Sequence, residues 1–363
     1  MNTEGPTIDT EPLRKNLFRR GRMKRDLAAL LLALAIPVTG CAALGIGQEA
    51  PSDTGASDSG PSDTGEPGTG PELTVSADEL AAAFDCFEGP GDSEAAPALL
   101  IPPTLLTADE TFSWNHLPWL NESRTVCTIE PPENSTADMQ VSAEYVTHAI
   151  RSTYEQHGEE IDVLGFSQGG VLGRAALRFW PDTRDMADDL VTLGSPHHGS
   201  TATHCTTEVE CPPALWQMDP DAQFIAELNS SQETFAEVST TSILSTTDDT
   251  VHPATTDESG ASVLAGENVR NVAVQELCAD NESDHLALGT TDPVAAALAL
   301  DAFDNPGPAD PERITDQVCA AQAPQVDAET AAEDLERLAA AIGETLTGTP
   351  TVAEEPRFVL PTG

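Results

Sequence analysis

From Leu73 onward, short apolar bursts bounded by Pro, Gly and Asn alternate with longer stretches of helical spacing. Ala98-Leu99-Leu100-Ile101 ends at Pro102, Thr125 to Ile129 ends at Pro131, and Ile161 to Phe166 runs into a Gly-rich turn; each reads as a strand. Leu190 to Leu193, Ser242 to Ser245 and Val269 to Val274 are three more. Between them, Met139 to His157 places Val141, Tyr145, Val146, Ala149 and Ile150 at helical intervals. Val171 to Phe179 is a helix stopped by Pro181, and Asp292 to Ala302 opens with Pro293 in its first turn. A last helix, about Ala328 to Leu346, carries Leu335, Leu338, Ala339 and Ile342 on one face. Such alternation predicts a mostly parallel central sheet with helices on both faces. It occupies residues 73–348, and residues 349–363 read as a loose C-terminal tail.

Upstream of Leu73 the pattern fails. A basic stretch, Arg19 to Arg25, precedes a short apolar run from Leu27 to Ile36 and then Val38-Thr39-Gly40-Cys41. Residues 1–40 therefore read as an export signal. Small residues directly before a cysteine resemble a bacterial lipobox, in which Cys41 would carry a lipid and begin the mature chain. The alternative is an ordinary signal peptide with an incidental cysteine. Residues 41–72 contain Pro51-Ser52-Asp53-Thr54-Gly55, repeated as Pro61-Ser62-Asp63-Thr64-Gly65, and too few large apolar side chains to build a core. They read as a solvated tether between the anchor and the folded domain.

Charge narrows the function. Lys and Arg total 16 against 61 Asp and Glu, a net charge of −45, and both lysines, Lys15 and Lys24, lie in the export segment. A surface so acidic repels phosphates, which excludes nucleic acid as a partner. Life in high salt and an acidic, lysine-poor exported proteome both explain the bias. Setting Cys41 aside, six cysteines remain: Cys86, Cys127, Cys205, Cys211, Cys278 and Cys319. An even number in an exported chain reads as disulfides, and the short Cys205–Cys211 spacing favours a local bridge.

The chemistry centres on Gly165-Phe166-Ser167-Gln168-Gly169, a G-x-S-x-G between a strand and a helix. In that context the serine sits on a strained turn that projects its hydroxyl, and the flanking glycines let strand and helix approach. A Gly-rich turn with an idle serine is the bland reading. A nucleophilic serine needs a base and an orienting acid, which follow it in the order acid, then histidine. His116, His148 and His157 precede Ser167, and His197, His198 and His204 follow it too closely. His252 lies in the turn expected to hold the acid, which leaves His285 as the base. Asp248 is the first acid after the Ser242–Ser245 strand, with Asp249 as the alternative. His197, His198, His204, Cys205 and Cys211 could suggest zinc, but cysteines in an oxidising compartment prefer each other. No metal and no cofactor are expected.

Phe166-Ser167-Gln168-Gly169-Gly170, Thr241 to Pro253, Leu264 to Val269 and Asp284-His285 resemble the Candida antarctica lipase B family of α/β-hydrolases, over about Phe84 to Ile342. The resemblance implies a triad of Ser167, Asp248 and His285. It implies an oxyanion hole from Gln168 and Thr104, the latter in Pro102-Pro103-Thr104-Leu105, where two glycines of the family loop are replaced. It implies disulfides Cys86–Cys127 and Cys278–Cys319, with Cys205–Cys211 as an extra pair. Phe166 stands where the family has a tryptophan beside the alcohol-side pocket, so that pocket should be wider here. Trp216 and Gln217 resemble a pocket-lining pair on the acyl side.

The expected function is a serine carboxylic ester hydrolase, a triacylglycerol lipase or esterase, exported and held at the outer face of the membrane or released, and monomeric. Acyl transfer to an envelope acceptor through the same site, and a catalytically idle surface-binding module, are the alternatives.

Overall fold

In the computed structural model, residues 68–91, 93–203, 205–206, 210–327 and 329–361 are described. The export segment, Cys41 and most of the tether lie outside them.

Seven strands form one sheet in the order β1-β3-β2-β4-β5-β6-β7. They are β1 (Phe84–Phe87), β2 (Ala98–Ile101), β3 (Val126–Ile129), β4 (Ile161–Phe166), β5 (Ala187–Leu193), β6 (Ser239–Leu244) and β7 (Val269–Ala273). All neighbours pair in parallel except β1, which runs antiparallel to β3 at the edge. β1 and the short helix before it, Ala77–Ala82, were not legible in the pattern. β1 alternates half-buried and exposed residues over four positions only, too short for a period to stand out.

Every residue of β2, β3, β4 and β6 is buried, as a parallel sheet covered on both sides demands. Alternation along β2 divides the core. Leu99 and Ile101 face α1 (Met139–His157) and α2 (Gln168–Phe179), while Ala98 and Leu100 face the other layer. That layer contains α3 (His285–Thr290) and α4 (Pro293–Asp304), the latter capped by Asp292, which accepts from the amides of Val294 and Ala295. The last helix, α5 (Ala331–Gly348), buries Leu338 and leaves Leu335, Ala339 and Ile342 half covered.

The tail is not loose. Phe358 packs on Phe179 and Phe224, with ring centroids 5.6 and 6.3 Å apart. The Glu355 carboxylate accepts from the amides of Gln223 and Phe224, supplying the N-terminal cap that helix Gln223–Leu228 lacks in its own sequence. The amides of Val359 and Leu360 donate to Gln140 Oε1. The tail's few apolar residues have no periodicity, because they fill gaps left by other elements.

The three disulfides are Cys86–Cys127, Cys205–Cys211 and Cys278–Cys319. The first ties β1 to β3 at directly paired positions.

Candidate active site

Ser167 lies between β4 and α2 with φ 54° and ψ −123°, a conformation that non-glycine residues adopt only under constraint. The constraint is packing. A Cβ on Gly165 would stand 2.3 Å from the Gly170 nitrogen, and one on Gly169 would stand 2.3 Å from the Ile101 carbonyl oxygen. Only glycines allow β4, β2 and the first turn of α2 to meet here, so the strained turn is enforced from both sides. The glycines also explain why α2 starts at Gln168 although apolar spacing shows it only from Val171.

The turn brings Ser167 Oγ to 3.0 Å from His285 Nε2, and His285 Nδ1 lies 2.8 Å from Asp248 Oδ2. All three side chains are buried. Asp248 follows β6, and its Oδ1 accepts from the amides of Thr250 and Val251, both at 2.8 Å. Burial alone would raise the Asp248 carboxyl; His285 and the two backbone amides outweigh it and hold the carboxyl below its ordinary value. Burial alone would lower His285; Asp248, with smaller contributions from Asp249 and Asp284, raises it above the ordinary 6.5. Asp249 touches the histidine only through the backbone, its Oδ1 lying 3.4 Å from the His285 amide nitrogen.

The loop carrying His285 is tied down by residues that sequence reading passed over. Ser245 Oγ and Thr247 Oγ1 donate to the Ser283 carbonyl at 2.6 and 3.0 Å. Asn281 Nδ2 donates to Asp292 Oδ2 at 2.6 Å, and Asp284 caps α3 through the Ala287 amide. His116 accepts no role by chain order, yet its Nε2 lies 3.0 Å from the Gly289 carbonyl beneath the site. Burial lowers His116 to about 4, so its imidazole is neutral. Nothing in the spacing of these residues along the sequence marks them.

Thr104 and Gln168 meet as well. Thr104 Oγ1 donates to Gln168 Oε1 at 2.5 Å. Leu105, at a position where the resembling family has glycine, takes φ 73° and donates its amide to the Asn134 carbonyl. Leu105 thus holds a left-handed backbone without being glycine, at a cost of roughly 1–2 kcal/mol. The amide of Gln168 belongs to the first turn of α2, where N–H groups have no partner within the helix.

Phe166, Gln217 and Trp216, expected beside the substrate, each have protein neighbours. Phe166 is fully buried; its ring lies 5.1 Å from that of His285 and packs against the Gly289 backbone, beneath the histidine. Gln217 is also buried. Its Oε1 accepts from the Met139 amide and its Nε2 donates to Asp138 at the start of α1, so its amide is occupied by a helix cap. Trp216 is half-buried and donates Nε1 to the Val352 carbonyl. His197 and His198 find separate partners, Thr192 and Glu233. Cys205 and Cys211 are bonded to each other.

A mostly parallel sheet with a strained serine at the strand–helix turn defines an α/β-hydrolase. Within that class the chain is similar to lipase B enzymes. It is 29% identical to lipase B of Pseudozyma antarctica over 212 residues, 57% of this chain and 61% of that protein. The crystal structure of Aspergillus fumigatus lipase B superposes with a TM-score of 0.71 at 28% identity, covering 85% of this chain and 76% of that one. Residues 127–256 also match the family described as palmitoyl protein thioesterase. These likenesses support a lipase B-type α/β-hydrolase.

Proposed function

We propose that the chain is a carboxylic ester hydrolase of lipase or esterase type. The observation that carries this reading is the continuous hydrogen-bonded series Ser167–His285–Asp248 at the strained turn. Ser167 attacks the ester carbonyl as His285 Nε2 takes its proton. The proton then passes to the leaving alcohol, and the acyl group remains on Ser167. Asp248 fixes the imidazole tautomer and stabilises the imidazolium. Thr104 and the Gln168 amide stabilise the negative charge that the tetrahedral oxygen carries. Water activated by His285 releases the acid. An alcohol acceptor in place of water would give acyl transfer from the same acyl-enzyme.

The thioesterase-family match favours thioesters as a second substrate class. We further propose that residues 73–348, with the tail packed on them, are the catalytic domain of an exported monomer, anchored through a lipid on Cys41 and held off the membrane by residues 41–72. Three disulfides suit an oxidising compartment.

The test is a chain-length series of p-nitrophenyl esters, triglyceride emulsions and acyl thioesters, each run with and without an acceptor alcohol. Turnover of oxygen esters that is abolished in Ser167→Ala supports the reading. Absence of turnover on every ester by a folded wild type overturns it.

A further inference from the structure

The end of the sheet opposite Ser167 holds a second concentration of polar side chains that hydrolysis does not use. At the amino-terminal ends of β4, β5 and β6, Asp162 pairs with Asp189, and Asp189 pairs with Ser239, so three oxygen-bearing side chains stand in one row across adjacent parallel strands. The ladder is interrupted there. Ile161 pairs with Ala187 and Asp162 with Asp189, which makes Asp188 the extra residue of a β-bulge. A bulge re-aims the side chains beside it. Here oxygens of Asp188 and Asp189, successive residues that a regular strand would send to opposite faces, come within 4.8 Å of each other and of Asp162.

Two of the three carboxyls, and the hydroxyl, are sealed from water: Asp162 is 1% exposed, Asp189 2% and Ser239 4%. Arg124, itself buried, donates to Asp162 at 2.5 Å and to Asp304 at 2.6 Å. That guanidinium is the one basic group paired with the cluster among the described residues. Asp189 Oδ1 and Ser239 Oγ make no hydrogen bond among the described residues, although Ser239 is near enough to favour the ionised form of Asp189. Beside them opens a cavity of about 400 Å³ whose lining includes Asp188, Glu237, Ser239, Asn268 and Asp304.

Buried polar oxygens left without partners cost stability, and several carboxylates around one guanidinium repel each other. Protons or a cation must offset this. A cation would neutralise the carboxylates and also supply a partner for Asp189 Oδ1 and Ser239 Oγ. The donors are all hard oxygens, with no histidine or thiolate, which selects calcium or magnesium over zinc or copper. Magnesium demands a near-ideal octahedron and retains waters, whereas calcium accepts the irregular set that three strand side chains and an open cavity provide. We propose that the bulge of Asp188 and Asp189, with Asp162 and Ser239, binds one calcium ion that clamps β4, β5 and β6 at their amino-terminal ends, away from the active site.

The test uses the full chain stripped with a chelator, in concentrated NaCl that screens the diffuse attraction of a −45 surface for any divalent ion. Calorimetric titration with CaCl2 should give one saturable site per chain and raise Tm, with MgCl2 much weaker. Asp188→Asn alters a solvent-facing residue and should leave the fold and the basal ester activity unchanged while weakening calcium on the order of tenfold or more. Asp189→Asn should remove the site. If wild type shows no stoichiometric calcium, if magnesium binds equally well, or if Asp188→Asn titrates like wild type, the proposal is overturned. Should Asp189→Asn fail to fold, Asp188→Asn carries the comparison alone.

Discussion

Asp248 reaches His285 Nδ1 at 2.8 Å with one carboxylate oxygen while the other is held by two backbone amides of its own loop, so the acid cannot rotate away from the imidazole. Asp249, next in the chain, meets only the His285 backbone. The proposed mechanism therefore predicts unequal effects. Asp248→Asn should lower kcat by about 10⁴-fold, through loss of the tautomer that presents Nε2 to Ser167. Asp249→Asn should cost under about tenfold, the scale of a remote charge. Steady-state kinetics of both variants on one soluble ester decide it. A severe Asp249→Asn with a mild Asp248→Asn would show that the acid has been misassigned.

The same pair sets a pH dependence. His285 must be neutral to accept the Ser167 proton, and Asp248 raises its pKa above 6.5. The free enzyme should therefore lose kcat/KM as pH falls through a value above 6.5, with the plateau on the alkaline side. Asp249 also contributes to the raised value, so Asp249→Asn should move that limb to lower pH with little change in the plateau. A pH profile of kcat/KM checks both. An acid limb lying below 6.5 would contradict the assignment of His285 as the base.

The chain's own pattern announced most of this arrangement. β4 and α1 were readable to the residue, because continuous burial and helical spacing each leave a long signal. The elbow glycines were readable because no other residue fits where Gly165 and Gly169 lie. What sequence could not supply is whichever side chain acts by position alone. Gln217, placed in a pocket by resemblance, is bound to the start of α1, and Phe166 lies beneath the histidine. Neither relationship has a period or a spacing. The Asp188 bulge is invisible for the same reason: three acids in an acidic chain look like solvent-facing charge until strand register brings them together.

The tail makes a measurable contribution. Removing residues 350–363 deletes the Glu355 cap and the Phe358 and Leu360 contacts with the core together. Phe358→Ala alone should cost about 2 kcal/mol, roughly half the loss for a fully buried phenylalanine, since Phe358 is half covered. The full truncation should cost more and lower Tm accordingly. Denaturant unfolding of the three proteins tests this, and a truncated chain with wild-type stability would mean that the tail does not pack in solution.

Phe166→Trp separates the two accounts of that ring. If it lined the alcohol-side pocket, tryptophan would narrow the cavity and discriminate between short and long secondary alcohols. Its surroundings argue otherwise. The phenyl ring already stands where a Cβ on residue 289 would meet it at 2.3 Å, and its other neighbour is the His285 imidazole at 5.1 Å between centroids. An indole needs more room than a fully buried phenyl has, and overpacking of this kind costs typically 1–3 kcal/mol. Strain should fall on His285, the group that must stay aligned with Ser167. The expected result is a lower Tm and a fall in kcat of the same proportion for esters of short and long secondary alcohols, with their ratio of kcat/KM unchanged. A variant that keeps wild-type stability while shifting that ratio would place the ring in the pocket after all.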